Sequence, residues 1–458
     1  MNALYIVCGL GLTALAAELF NARKILSILV VIGLAVAIGL TIPQLGTSIS
    51  YFTNMVVIDN FSMAFSILIM TVTILWFWMA QDYFNSDLDH YTDRASLILF
   101  TVAGGMLMAS FNNMAILFLG IEVLSLSLYT LAGSKRDSLA SNEAAFKYFL
   151  MGSFATGFLL LGIALVYGAT KSFDIQTIAV NVILNSSTLP AFFYVGVLLI
   201  LVGLAFKISA VPFHFWAPDV YSGSPTSVTA FMSTVVKIAA VAAFVKVFSV
   251  CFSHIAPSWS FVLKIIMILT LAVPNLIAAA QDNVKRMLAY SSVGHVGYIL
   301  LAFIAQPETS TSSIFYYLCA YSVASITAFA VLLQVEKSSS GTDIVHFNGL
   351  FKRNPLLAVG LTIALLSLAG IPPLAGFFGK YLVFIQAIDH GLISLTILAI
   401  VTSLMGAYYY FRVIIAMYLQ EPAGDSLSVS ASQKALIVIL VALMFALAVL
   451  PDYLLGLF

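Results

Sequence analysis

Charge is scarce in this chain of 458 residues: 8% are Asp, Glu, Lys or Arg, the two signs cancel, and no long run of either sign occurs. Soluble domains carry about a quarter charged residues, so a soluble fold is excluded. The lack of a basic or acidic block leaves nothing that points to nucleic acid or to a lipid-surface anchor. Cysteine is nearly absent too. Cys8, Cys251 and Cys319 each stand alone in apolar surroundings without a C-x-x-C spacing, which argues against a cysteine-held metal or iron–sulfur cluster and for small core residues. No His, Asp or Glu pair has ligand spacing, so no metal site is expected. Gly9, Gly11 and Ala14 match part of the dinucleotide fingerprint by letter. No strand precedes them and no polar ribose-binding loop follows, so they read as helix-packing residues. The first apolar stretch lacks a positive leader and a clear cleavage site, and is expected to be a first transmembrane helix, not a signal peptide. With no nicotinamide, flavin or cluster site visible, redox chemistry is expected in another chain.

What the chain has is apolar length: 62% hydrophobic residues and a mean hydropathy of +1.08. A bilayer core needs about 20 apolar residues per helix. That window gives fourteen segments, near 2–20, 25–43, 57–80, 95–111, 113–133, 142–169, 190–211, 224–250, 258–280, 284–305, 312–335, 355–387, 391–418 and 433–455. The fold class expected is an all-α, multi-pass membrane protein surrounded by lipid. Loops after odd-numbered segments hold Arg23, Lys24, Arg94, Lys135, Arg136, Lys285, Arg286, Lys337, Lys352, Arg353 and Lys434, whereas loops after even-numbered ones hold Lys171, with Lys246 and Lys264 nearer helix ends. Positive charge stays inside, which places the odd loops in the cytoplasm and both termini on the opposite side.

One apolar stretch breaks its own pattern. In GLAFKISAVPFHFWAPDVY (203–221), Lys207 lies at mid-membrane depth and Pro212, His214, Pro218 and Asp219 follow before the span is complete. Irregular backbone at that depth is tolerated where it is buried in protein or lines a wet cavity. A lysine at a helix centre costs about 2.5–3.5 kcal/mol on insertion scales, so it is a functional candidate by default. The pattern recurs. SAVPFHFWAPDVY (209–221) aligned with AGIPPLAGFFGKY (369–381) puts Pro212 over Pro372 and Tyr221 over Tyr381, with Lys207 before one break and Lys380 after the other. Paired interrupted helices in two inverted halves point to a transport site near the midplane. The expected organisation is three N-terminal helices in 1–93, a first antiporter-like half in 94–250 (helices 4–8), a second inverted half in 251–418 (helices 9–13), and a last helix in 419–458.

Further ionisable residues stand within apolar segments: Glu122 in segment five, Lys237 in segment eight and His295 in segment ten. A Glu–Lys pair in the membrane makes either a tunable proton site or a fixed ion pair that sets helix register; a series of such groups suits a proton relay. His295, flanked by Ser291, Ser292 and Tyr298, is either a relay or a core histidine satisfied by those neighbours. Lys147, four residues after Glu143, fits an i,i+4 ion pair as well as a relay. Lys285 and Arg286 at a helix start are expected to snorkel to the interface.

LGIEVLSLSLYTLAG (119–133), GLAFKISAVPFHFWAPDVYSGSPTSVTAFM (203–232), DNVKRMLAYSSVGHVGYIL (282–300) and LSLAGIPPLAGFFGKYLVF (366–384) resemble the antiporter-like membrane subunits of proton-pumping NADH-quinone oxidoreductase, respiratory complex I. The form VPFHFWAPDVYSGSP is nearest the subunit N branch, known in mitochondria as subunit 2. The resemblance implies a proton channel driven by quinone reduction elsewhere in a complex. It gives Glu122 the role of modulating glutamate, Lys207 that of the broken-helix lysine, Lys237 that of the connecting lysine, His295 that of a central-axis histidine and Lys380 that of the exit-side lysine. It also implies that FMN, iron–sulfur clusters, NADH and quinone are bound by other subunits. The partners it implies are a neighbouring antiporter-like subunit, small membrane subunits and, indirectly, a peripheral arm. The location it implies is a bacterial inner membrane. The alternatives are a subunit of a multisubunit cation/proton antiporter or membrane-bound hydrogenase, and a structural membrane subunit.

Overall fold

The computed structural model describes residues 1–20, 23–85, 90–185, 188–307, 309–339 and 341–458. Helices α1 (Asn2–Leu19) and α2 (Arg23–Thr41) lead into a small hairpin of β1 (Ile49–Tyr51) and β2 (Val56–Ile58). The hairpin pairs Ile49 with Ile58 and Tyr51 with Val56, and turns through positive φ at Phe52, Thr53 and Asn54. There follow α3 (Asn60–Asn85), α4 (Tyr91–Ser110), α5 (Met114–Ala132), α6 (Leu139–Thr170) and α7 (Ile175–Asn185). Next come α8 (Ala191–Lys207), α9 (Trp216–Gly223), α10 (Thr226–Phe231) and α11 (Lys237–Lys246). The chain continues with α12 (Ala256–Ala279), α13 (Val284–Ala305), α14 (Thr311–Ser339), α15 (Leu350–Arg353) and α16 (Pro355–Ala369). It ends with α17 (Ala375–Asp389), α18 (Ile393–Leu419), α19 (Ala431–Val449) and α20 (Pro451–Leu455).

Eleven helices among the described residues are long and apolar enough to cross a membrane unbroken. The other three expected spans are α4, which carries Asp93 and Arg94 in its first turn, and two interrupted ones, α8 with α9 and α16 with α17. The hairpin and α7 have no counterpart in the apolar pattern. Segment fourteen stops at Val449 and restarts at Pro451, because proline lacks the N–H that would continue the helix.

Elements α10 and α11 belong to one continuous helix, Thr226–Cys251, which is buried from Thr226 to Phe248. It contains two π-helical turns, Met232–Val236 and Val247–Cys251. Around it pack α3, α4, α8 and α14, while α6 lies against α8, α12 against α13, and α14 against α16 and α17. The outward faces of α2, α6 and α18 expose large apolar residues such as Ile28, Phe154 and Leu404, as expected where lipid tails are the solvent. One capping device occurs twice. Asn113 caps α5 and bridges Asp174 beyond α6, and Asn283 caps α13 and bridges Asp343 beyond α14. By the count of spans these two devices lie on opposite faces of the bundle.

Candidate functional site

The first interruption begins where α8 ends. Ala210 N–H reaches back to Ala205 O at 2.8 Å, Ser209 takes φ 64°, and the Val211 N–H donates to Thr270 Oγ1 on α12 at 2.9 Å. The Trp216 indole N–H returns to Phe206 O at 3.2 Å. A neighbouring helix and an aromatic side chain thus satisfy backbone groups that the break leaves open. Lys207, the last residue of α8, is buried and donates to Ser125 Oγ on α5 at 2.8 Å. Ser125 passes its own hydroxyl proton to Ile121 O at 2.6 Å, so its lone pairs face the amine. Glu122 is half-buried one turn earlier on the same helix. Among the described residues the ion pairs within 4.0 Å do not include one between Glu122 and Lys207.

The centre is built on α13. Lys237 abuts the first π turn and donates to Ser292 O at 2.6 Å, and to Ser292 Oγ as well. One turn on, His295 is held on both ring nitrogens: Nδ1 lies 2.6 Å from the Tyr317 hydroxyl of α14, and Nε2 lies 3.3 Å from the Tyr410 hydroxyl of α18. Tyr410 is bonded in turn to Ser291 Oγ. A neutral imidazole donates from one nitrogen and accepts at the other, and each phenol can do either. The row Tyr317–His295–Tyr410–Ser291 can therefore reverse its donor and acceptor order without moving heavy atoms.

The second interruption faces this row. Gly370 ends α16 at φ 87°, and Gly376 packs so closely on α16 that a Cβ would lie 1.8 Å from Ser367 O. Pro372 and Pro373, which have no N–H, fill the turn between. Lys380, one turn into α17, donates to Ala369 O at 2.8 Å and to Ser403 Oγ at 2.7 Å. Its amine sits 4.9 Å from the Tyr298 ring centroid. Between His295 and Lys380 is a cavity of about 10 Å³, lined also by Tyr317, Tyr321 and Ser367, which is the scale of one water molecule. Lys207, Lys237 and Lys380 share a motif: each is held by hydroxyl or carbonyl oxygens and not by a carboxylate. Such an amine can lose and regain a proton without an ion pair being broken.

The fold thus joins Lys237 and His295 on one polar ridge and sets Lys380 across a small cavity from it. It leaves Lys207 with Ser125, and among the described residues no hydrogen bond links Lys207 to Lys237. Residue patterns missed Tyr317, Tyr410, Ser125 and Ser403, because single Tyr and Ser residues are ordinary in apolar helices. Ser291 and Ser292 do join this cluster, Ser291 through Tyr410 and Ser292 through Lys237. Lys147 pairs with Glu143 at 2.7 Å and with Asp219 at 2.9 Å, and Arg286 reaches Asp219 at 3.2 Å. These are partly exposed pairs of small energetic weight. The snorkelling expected of Lys285 is corrected: it is 4% exposed and donates to Ser222 O and Ser224 O. The free carbonyls at the C-terminus of α9 attract it inward. Among the described residues no group of three or more His, Cys, Asp or Glu could hold a metal ion.

The family model described as NADH:quinone oxidoreductase/Mrp antiporter, transmembrane, matches residues 111–406. NADH-quinone oxidoreductase subunit N of Cytophaga hutchinsonii is 42% identical over 456 residues, covering 99% of both chains. A chain of respiratory complex I from Thermus thermophilus with bound aureothin superposes with a TM-score of 0.84 at 32% identity, covering 99% of this chain and 98% of that one. A chain of the Mrp complex from Dietzia sp. superposes with a TM-score of 0.89 at 21% identity, covering 99% and 95%; at that identity the likeness is one of fold.

Proposed function

Because the chain belongs to the subunit N family of NADH-quinone oxidoreductases, within the NADH:quinone oxidoreductase/Mrp antiporter transmembrane family, we propose that it translocates protons in the membrane arm of a respiratory complex I. The observation that carries this reading is His295 bonded between two phenols, with Lys237 held one turn away and Lys380 across a water-sized cavity. Protons enter the first half from the odd-loop face near Glu122 and Lys207, move laterally through Lys237 and His295, and leave near Lys380. The repeated Asn–Asp device supports the inverted halves 94–250 and 251–418, preceded by 1–93 and followed by 419–458. Electron transfer from NADH to quinone through FMN and iron–sulfur clusters belongs to other subunits. The loop charges support an inner-membrane orientation with both termini outside the cytoplasm. Each charge moved outward works against about 2.3 kcal/mol per 100 mV, which requires gating.

The test is Lys207→Ala in the assembled complex. The expected result is a several-fold loss of coupled turnover and pumping with assembly retained; pumping at the wild-type rate would falsify the reading. Lys207→Arg is expected to fail too, since a guanidinium does not release its proton. Co-purification with flavin and iron–sulfur subunits separates this reading from a cation/proton antiporter subunit.

A further inference from the structure

The central helix carries a second lysine, outside the series described above. Lys246 follows Lys237 on the continuous helix Thr226–Cys251, about 14 Å further toward the even-loop face at 1.5 Å per residue. It is 6% exposed. Its amine donates to Ala109 O near the C-terminus of α4 at 3.3 Å, and lies 5.6 Å and 5.4 Å from the Phe61 and Phe111 ring centroids. Among the described residues no carboxylate pairs with it within 4.0 Å.

A cation at a helix C-terminus is often a cap, but two independent features go beyond capping. The second π turn starts directly after Lys246, as the first ends directly before Lys237, and π turns inside helices are frequent at functional positions. Next to Ser110 there is also a cavity of about 30 Å³ in which Ser110, Ser62, Ser66, Thr41 and Gln44 stand among apolar residues such as Leu4 and Met106, large enough for about one or two waters. Met1 and the end of α2 place that cavity at the even-loop face. Ala109 and Phe61, which touch the amine, are the chain neighbours of Ser110 and Ser62, which line the cavity.

We propose that Lys246 is a proton-carrying residue that gives the first half its own outlet: its amine takes a proton arriving from Lys237 and releases it to water in the serine-lined cavity. This rests on the relay described under Proposed function. The test measures protons translocated per NADH oxidised by the assembled oxidoreductase in vesicles. Lys246→Arg keeps the positive charge with its ring and carbonyl contacts but holds its proton. The ratio is expected to fall to the level of Lys207→Ala measured in parallel, and an unchanged ratio overturns the outlet. Should Lys246→Arg not assemble, Ser66→Ala with Ser110→Ala removes two of the cavity's hydroxyls and leaves those of Thr41 and Ser62; a lowered ratio supports the outlet and a wild-type ratio overturns it. If Lys207→Ala also pumps normally, the relay itself falls; if Lys207→Ala is impaired and the outlet variants are not, the outlet alone falls.

Discussion

The two interrupted helices solve the same problem by different means. In the first, α8 to α9, no glycine stands at the break: Ser209 takes the positive φ, and Thr270 from another helix closes the Val211 N–H. Lys207 turns away to Ser125, on the helix that carries Glu122. In the second, α16 to α17, Gly370 takes the left-handed φ, Gly376 lets the half-helices meet at backbone contact, and Lys380 binds the carbonyl of Ala369 that its own break sets free. The second lysine is thus fixed by the interruption itself together with Ser403 of α18, whereas the first has its hydrogen bond to a neighbouring helix alone. A site tied to a neighbour can respond to that neighbour's charge; a site fixed by its own backbone is suited to a constant task.

Four substitutions sharpen or break this contrast. The largest effect is expected of Gly376→Ala, whose methyl would meet Ser367 O. Overpacking against backbone costs about 3 kcal/mol or more, so the complex should be nearly absent from membranes on a native gel; normal assembly would dissolve the contrast. Thr270→Val leaves a buried N–H open, at about 1–3 kcal/mol, and should lower the melting temperature of the solubilised complex without abolishing it. Ser125→Ala is expected to spare assembly but to cut pumping several-fold, by releasing Lys207 from the helix of Glu122; a stability loss with pumping intact would make Ser125 a packing residue. The smallest effect belongs to Ser209→Gly, where relief of a left-handed φ and the added freedom of the unfolded chain offset each other to within about 0.5 kcal/mol. A large change in melting temperature would show that Ser209 does more than turn the chain.

The charged half of the site was legible in the sequence because charge in lipid is costly: Glu122, Lys207, Lys237 and Lys380 stand out against apolar helices, and the prolines mark both breaks. Its hydroxyl half was not. Tyr317 and Tyr410 come from helices far along the chain, and only the packing of α14 and α18 against α13 sets them on either side of His295. Lys285 was misplaced for a related reason: periodicity put it at a helix start, but the carbonyls that draw it in belong to α9. The hairpin and α7 escaped because short elements at the membrane edge have no 20-residue apolar signature.

From Thr226 to Phe248 the central helix is sheathed on all sides by protein. Like an insulated conductor, it meets the bilayer only through its jacket. The outer faces of α2, α6 and α18 can drift among apolar residues and adapt to membranes of different thickness, while the spacing from Lys237 to its partners stays the same. Anaesthetics, detergents or altered acyl chains that leave the jacket intact should therefore leave the contacts of Lys237 alone.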